Sequence, residues 1–138
     1  MAEMNATVSW QDDVNFVGTS PSGHDVPMDA QKQKGASPME LILLGLGGCA
    51  SYDVVTILQK GRQDVSDVRC ELTANRADAV PAVYTDIHLH FVVTGKAVRE
   101  KQVAKAVALS AEKYCSASRM LESGGVKITH DFEIIEAE

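Results

Sequence analysis

The sequence predicts an α+β domain in which one long helix accompanies antiparallel strands. Short alternating β-prone segments open and close the chain, a strongly apolar helix with a clear start lies between them, and a second amphipathic helix precedes the last strand. With 138 residues, of which 45% are hydrophobic and 23% charged, the chain is expected to form one domain over residues 1–138.

Three short strands are predicted at the start of the chain, at residues 5–10, 14–20 and 24–29. The turn-forming sequences QDD and PSG separate them, which is typical of an antiparallel meander. Residues 30–36 are polar and have no apolar periodicity, so they are expected to form a loop.

A helix is predicted to begin after this loop. Ser37 is a good N-cap, Pro38 suits the first helical position, and Glu40 follows the cap by three residues, which together make a capping box. The apolar pattern continues to Lys60, and Gly61 marks the end. The predicted helix is roughly 22 residues or ~33 Å long.

The second half of the chain alternates strands with one more helix. Strands are predicted at residues 66–76, 83–94 and 126–135, and an amphipathic helix at residues 97–113. Ser116 is expected to cap a short further turn. The resulting order is βββ-α-ββ-α-β.

Charge and hydropathy exclude several classes of function. A net charge of −6 without any cluster of Lys and Arg argues against a nucleic-acid partner. The N-terminus has no basic segment followed by an apolar run, so no signal peptide is expected and a cytoplasmic location is predicted. The uncharged run at residues 41–52 is about 12 residues long, against the ~20 that cross a bilayer, which favours a core helix over a membrane span.

The cysteines and histidines form no metal or cofactor motif. Cys49, Cys70 and Cys115 are too few and too far apart for a disulfide framework, so free thiols are expected, with Cys70 in the apolar face of a strand. His88 and His90 lie on the polar face of a strand, but no third ligand is evident beside them.

The sequence leaves open whether each remaining cysteine is reactive or only packed. Cys49 follows the N-cap by three helical turns, beyond the reach of the helix dipole, and Asp53 one turn later does not favour a thiolate. Cys115 has Lys113 and Arg119 nearby, and such cations can favour a thiolate. A buried structural role remains possible for both cysteines.

Glu40 cannot reach Cys49 along the same helix. Nine residues separate them, so their side chains leave opposite faces roughly 13 Å apart along the axis. If Glu40 contributes to a site at Cys49, the simplest arrangement places it across a dimer interface.

Three segments resemble the OsmC/Ohr superfamily and, within it, the YhfA-like branch. They are SPMELILLGLGGCASYDVV, IHLHFVVTG and AVALSAEKYCSASRML, in this order, and the similarity extends over nearly the whole chain. The resemblance implies an OsmC-like fold in an intertwined homodimer, in which two long central helices are flanked by antiparallel sheets and two sites lie at the subunit interface.

The resemblance also implies a chemistry. In the peroxidase members the first cysteine is peroxidatic and the second resolving, so the resemblance implies these roles for Cys49 and Cys115, with Glu40 as the third site residue. The implied substrates are organic hydroperoxides, and dithiols such as lipoyl groups are the implied reductants. Such an enzyme acts as an antioxidant in the oxidative stress response.

One feature of the peroxidases is missing from this sequence. In those enzymes an arginine upstream of the PxEL motif, which is residues 38–41 here, pairs with the glutamate of the motif. This arginine has no counterpart, because residues 1–61 contain no arginine. His24, Lys32 and Lys34 are candidates to replace it, although a lysine lacks the planar fork of arginine.

The sequence therefore leaves three functions open. The first is two-cysteine reduction of organic hydroperoxides. The second is a protein without peroxidase activity that holds a small lipophilic ligand in an apolar interface cavity. The third is a redox-sensing dimer in which a disulfide between Cys49 and Cys115 is a switch.

Overall fold

A computed structural model describes residues 3–138 and confirms the α+β class and the predicted order of the main elements. The helices and strands are β1 (Thr7–Asp12), β2 (Asn15–Thr19), β3 (Asp25–Asp29), α1 (Pro38–Lys60), β4 (Asp64–Arg76), β5 (Tyr84–Lys96), α2 (Glu100–Leu109), a π-helical segment (Ser110–Tyr114), α3 (Ser116–Ser123) and β6 (Lys127–Glu136). The chain divides into two compact units, of which the first ends at Leu44 and the second begins at Gly45.

The first unit is built on an antiparallel sheet in the order β1-β2-β3. The predicted polar loop follows β3 and is organised by the buried Asp29. The carboxylate of Asp29 accepts hydrogen bonds from the backbone N–H groups of Gln31, Gln33 and Lys34, at 2.8, 3.2 and 3.0 Å. These bonds lower the pKa of Asp29, with the largest effect from Lys34 N–H. The loop is therefore held by one acidic side chain.

The second unit contains a sheet in the order β4-β5-β6, and one of its strand pairs differs from the prediction. Strands β4 and β5 are antiparallel as expected, but β5 and β6 are parallel. The expectation of a purely antiparallel sheet is therefore wrong for this pair. The physical reason is the long connection through α2 and α3. It carries the chain back to the end of the sheet where β5 begins, so β6 runs in the same direction as β5.

The hydrophobic core of the second unit lies on one face of this sheet. From α1 it takes Leu46, Ala50, Val54 and Leu58, a buried stripe with a spacing of four residues. The sheet contributes a buried row on β5, and α2 contributes three further residues. These are Ile87, Leu89, Phe91, Val93, Val103, Ala106 and Val107. Helix α1 comes especially close at Gly47, where a Cβ atom would lie 2.8 Å from Leu72 Cδ1.

Helix α1 begins and ends where the sequence predicts. Ser37 N–H donates to Glu40 Oε1 at 2.8 Å, and Glu40 N–H donates to Ser37 Oγ at 3.3 Å, so the capping box is formed in both directions. The helix has 23 residues. By length and composition it could cross a bilayer, and only 28% of its most apolar window is buried within the chain. The 12-residue run considered from the sequence therefore underestimates how far the apolar character extends.

The predicted helix over residues 97–113 is interrupted. Helix α2 ends at Leu109 and is followed by a wider π-helical turn, in which Cys115 N–H donates to Ser110 O at 2.9 Å. The short helix α3 follows, and its N-cap is Cys115, not Ser116 as expected. Cys115 is therefore the N-cap residue between two helical segments, a position that the apolar pattern does not predict.

The packing around Gly95 on β5 leads to a stability prediction. A Cβ atom on this residue would collide with the backbone oxygen of Asp64 and would lie 2.6 Å from Val98 Cγ2. Gly95→Ala should therefore destabilise the protein by about 1–3 kcal/mol, the usual cost of overpacking. Lys96→Ala, at the exposed neighbouring position, should stay within about 0.5 kcal/mol of the native protein. Urea unfolding followed by circular dichroism measures both, and equal stability of the two variants would contradict the prediction.

Candidate functional site: two cysteines beside Asp53

The structure brings Cys49 and Cys115 together within the second unit. Cys49 lies half-buried on α1, Cys115 is completely buried between the π-helical segment and α3, and both are free thiols. The Cys49 side chain lies near enough to Cys115 to favour the protonated form of the Cys115 thiol. The two thiols are therefore neighbours, although 66 positions separate them in the sequence.

The π-helical segment and α3 together set the position of Cys115. The backbone N–H of Cys115 is bound to Ser110 O, and its carbonyl accepts the backbone N–H of Arg119 at 3.1 Å. Its sulfur accepts the backbone N–H of Ser118 at 3.4 Å, as an N-cap side chain does. Hydrogen bonds to the backbone and to the sulfur of Cys115 thus hold its thiol in place.

Opposing effects act on the acidity of Cys115. Burial is the largest and disfavours the thiolate, while the Ser118 N–H favours it. The hydrogen bond to Cys49 and the negative charge of Asp53 act in the same direction as burial. Together they raise the pKa of Cys115 to about 11, so at neutral pH this residue is a thiol. The expectation that nearby cations favour a thiolate at Cys115 is therefore wrong, because burial dominates.

Ser110 connects Asp53 to the turn that carries Cys115. Its buried hydroxyl donates to Ala50 O at 3.1 Å and lies 3.4 Å from Asp53 Oδ2. Its backbone carbonyl is the acceptor of the Cys115 N–H bond. One serine therefore contacts the α1 backbone, the Asp53 carboxylate and the Cys115 backbone.

A cavity of about 620 Å³ opens between α1 and α2 and reaches Asp53. Its walls combine aliphatic, aromatic and cationic side chains. The residues that line it are Tyr52, Asp53, Thr56, Ile57, Lys60, Gly61, Gln102, Lys105, Leu109 and Tyr114. This volume is in the range of small-molecule sites. Asp53 therefore faces open space, while the neighbouring Cys115 does not.

Cys70 lies apart from this pair of thiols. It is half-buried on β4 and hydrogen-bonded to the side chain of Ser51 on α1. Burial raises the pKa of Cys70 to about 11, against the opposing effect of the Ser51 hydroxyl. This arrangement agrees with the packing role that its strand position predicts.

Glu40 and the candidate replacements for the missing arginine lie in the first unit. The pKa of Glu40 is lowered first by the backbone N–H of Ser37, with the charge of Lys32 as a smaller contribution. His24 sits in the turn after β2, where its ring contacts Ser22 Oγ at 2.8 Å. The described contacts of Glu40 are therefore those of a capping residue, and its role at a cysteine site stays a prediction.

The two histidines of the polar strand face form a hydrogen-bonded group with Asp131. Asp131 Oδ1 lies 2.9 Å from His88 Nε2 and 2.6 Å from His90 Nδ1. Glu133 Oε1 lies 3.4 Å from His90 Nε2, and Glu71 is the register partner of His90 on β4. Within residues 3–138, no group of three or more His, Cys, Asp or Glu side chains is arranged to hold a metal ion. Asp131 and Glu133 therefore serve as polar partners of the histidines.

Ser110 and the link to Asp53 are the parts of the site that sequence reasoning missed. The helical phase offers a signal, because Val103 and Val107 define the buried face of α2 and Ser110 follows on it. A serine on a buried face needs a hydrogen-bond partner, which points to a contact with another element. The helical phase of Ser110 does not predict that its hydrogen-bond partner lies on α1.

The fold and site define a class of α+β proteins in which a long helix presents one cysteine to a second cysteine at the start of a short helix. The comparison with family models matches the OsmC-like protein model over residues 31–131. Protein YhfA from Escherichia coli strain K12 is 50% identical over 135 residues, which cover 97% of this chain and all of that protein. The chain belongs to the OsmC-like protein family.

Solved structures agree with this assignment. A hypothetical protein from Aquifex aeolicus VF5 has a TM-score of 0.84 at 31% identity, covering 97% of this chain and 98% of its own. The organic hydroperoxide resistance protein OhrB of Bacillus subtilis has a TM-score of 0.63 at 16% identity, with 96% of this chain and 98% of its own covered. The second likeness shows the shared fold alone.

The Asp131 group gives a prediction for pH dependence. The hydrogen bond to Asp131 is the largest effect that raises the pKa of His90, so it stabilises the folded state below the unfolded pKa of ~6.5 and this stability is lost as pH rises through the folded value. Asp131→Asn should therefore lower the pKa of His90 and destabilise the protein more at about pH 5.5 than at about pH 8.5. NMR titration of the histidine rings and unfolding at both pH values measure this. Asp78→Asn, in an exposed loop, is the control, and a His90 titration that is the same in both variants would contradict the prediction.

Proposed function

We propose that this protein reduces organic hydroperoxides through Cys49 and Cys115. The single observation that carries the proposal is that the two thiols, 66 positions apart in the sequence, are neighbours within one unit of the structure, where Cys49 acts directly on the Cys115 thiol. Several structural neighbours with the same fold are organic hydroperoxide resistance proteins, at 14–16% identity.

The proposed reaction has three steps. The sulfur of Cys49 attacks the peroxide oxygen, the O–O bond breaks, and an alcohol leaves while Cys49 becomes a sulfenic acid. The sulfur of Cys115 then attacks the Cys49 sulfur, and water leaves as the disulfide forms. An external dithiol reduces the disulfide and restores both thiols. In this scheme the high pKa of Cys115 keeps it protonated while Cys49 meets the peroxide.

Turnover of cumene hydroperoxide with dihydrolipoamide tests the reaction. The native protein should consume peroxide, and Cys49→Ser should lose roughly 1,000-fold or more of the rate because the nucleophile is gone. Cys115→Ser should form a trappable sulfenic acid at Cys49 without the bridge to residue 115. Cys70→Ser is the matched control and should keep native turnover, since Cys70 lies on β4 and is hydrogen-bonded to Ser51.

The contradicting outcomes are equally specific. If the native protein consumes peroxide no faster than Cys49→Ser, the enzyme proposal is wrong. Mass spectrometry after one equivalent of peroxide should show a bridge from Cys49 to Cys115, and a bridge to Cys70 would overturn the assigned roles.

A second function, binding of a small lipophilic ligand, is favoured by the cavity beside Asp53. Its volume of about 620 Å³ and its walls of Tyr52, Ile57 and Leu109 suit a compact apolar molecule. Binding of this kind would survive Cys49→Ser, whereas peroxide reduction would not. Ligand affinity that is unchanged in a variant without turnover would therefore assign the cavity to the second function.

We further propose that the protein acts as a cytoplasmic homodimer formed along α1. This helix is apolar, yet Leu44 is 61% exposed, and a Cβ atom on Gly45 or Gly48 would meet nothing within 4 Å. Small residues flanked by exposed apolar side chains suit close packing against a second helix. A second copy of this chain is the occupant that the family resemblance implies.

Sedimentation tests the dimer. The native chain should sediment at twice 14.8 kDa, and Leu44→Glu should shift it toward the monomer because a charge would be buried at the contact. Val80→Glu is the control, since Val80 is 99% exposed in a loop. A native protein that sediments as a monomer at about 50 μM would contradict the proposal, as would a Leu44→Glu variant that remains dimeric.

A further inference from the structure

We propose that Asp53 accepts the proton of the Cys115 thiol as the bond to Cys49 forms and returns it to the departing oxygen. This inference rests on the proposed two-cysteine reaction and adds a residue to it. Asp53 acts as a proton relay between a buried thiol and the reacting pair. Its contacts with Ser110 and with the open cavity carry the proposal.

The need for a relay follows from the burial of Cys115. The residue is completely buried and its pKa is about 11, so almost none of it is thiolate at neutral pH. A thiol attacks a sulfenic acid slowly, because the thiolate is the nucleophile. Disulfide formation therefore requires that the S–H bond breaks while the S–S bond forms, and the proton needs an acceptor.

Few groups can accept that proton. The charges that act on Cys115 in the described structure belong to Cys49 and Asp53. Cys49 is itself the partner in the reaction and, as a sulfenic acid, offers no strong base. The carboxylate of Asp53 is the remaining candidate.

The geometry places this carboxylate beside the pair. Asp53 follows Cys49 by one helical turn, so both side chains lie on the same side of α1. Its Oδ2 lies 3.4 Å from Ser110 Oγ, and Ser110 O holds the Cys115 N–H at 2.9 Å. One serine thus contacts the Asp53 carboxylate and also holds the turn that carries the thiol, which fixes the position of the two groups relative to each other.

Access to solvent distinguishes Asp53 from the thiol. It lines the cavity between α1 and α2, where protons can exchange, whereas Cys115 is closed off. The other titratable side chains that line this cavity are Tyr52 and Lys60 on α1, Lys105 on α2, and Tyr114.

The step balances without any further reactant. The Cys115 proton moves to Asp53 as its sulfur attacks Cys49, the S–O bond of the sulfenic acid breaks, and the leaving hydroxide takes the proton from Asp53. The products are a disulfide, one water molecule and Asp53 in its original form. The carboxylate holds the proton only while the bonds change.

Rapid-quench kinetics of Asp53→Asn tests the relay. One equivalent of cumene hydroperoxide is added, the sulfenic acid is trapped with dimedone, and the bridge is quantified by mass spectrometry between about pH 5.5 and pH 9. Sulfenic acid formation should not slow, while disulfide formation at pH 7 should slow by about 10²- to 10⁴-fold, the range of lost proton-transfer catalysis. The slow rate should rise with hydroxide concentration, because hydroxide then replaces the carboxylate.

Two further variants separate proton transfer from structure. Asp53→Glu keeps a carboxylate and should recover part of the native rate with the native pH profile. Asp64→Asn, which removes a carboxylate at the exposed start of β4, should behave as the native protein. The inference is overturned if Asp53→Asn forms the disulfide at the native rate, or if it is slowed equally at every pH, since the latter indicates a structural defect.

Failure of the proposed function would be visible in the same experiment. If the native protein forms no sulfenic acid, peroxide reduction is wrong, and oxidised glutathione then supplies the test of the relay. Cys49 forms a mixed disulfide, and attack by Cys115 releases glutathione with the transferred proton. A release rate of Asp53→Asn equal to native overturns the inference, and a slow rate that rises with hydroxide supports it.

Discussion

The second unit depends on the rotation of α1 about its own axis. Burial of the stripe from Leu46 to Leu58 fixes this rotation, because each of its four side chains fills the core against the sheet. Gly47 lets the helix lie close to Leu72, so the distance is fixed as well. Once the stripe is buried, the flank that carries Cys49 and Asp53 must point toward α2 and the π-helical segment. The geometry of the site therefore follows from hydrophobic packing.

The π-helical segment provides the other half of the arrangement. A regular α-helix through residue 114 would rotate Cys115 differently and would leave the Ser110 carbonyl bonded one residue earlier. The wider turn instead directs the chain into α3 with a cysteine as the N-cap. An N-cap usually carries an oxygen, and sulfur is a weaker acceptor. A cysteine at this position sacrifices some helix stability and gains a thiol at a fixed point beside α1.

Local sequence signals predict the parts of the fold that depend on neighbouring residues. The capping box of Ser37 and Glu40 predicts the first residue of α1 correctly, and Gly61 predicts its end. Both signals depend on backbone groups within one turn. The alternation of apolar and polar residues predicts the strands and the polar face that carries His88 and His90. The same alternation occurs in parallel and antiparallel pairs, so it does not predict the direction of β6.

The site itself depends on contacts between distant segments. Neither the bond between Ser110 and Ala50 nor the approach of the two thiols has a signature in residue spacing. The family resemblance pairs the cysteines, whereas Asp53 beside Ser110 is visible only in the structure. The acidity of Cys115 is equally invisible, because burial outweighs the cations that its sequence neighbours offer.

The separation of the two cysteines along the chain has a mechanical consequence. A covalent bond between them would close a ring that contains β4, β5 and α2, and would tie the main helix to the connection that crosses the sheet. A ring of roughly 65 residues removes conformational freedom from the unfolded chain that corresponds to about 4 kcal/mol. The oxidised and reduced proteins would share one fold but would differ in their free energy of unfolding. Oxidation alone would therefore make the folded chain more resistant to heat and denaturant.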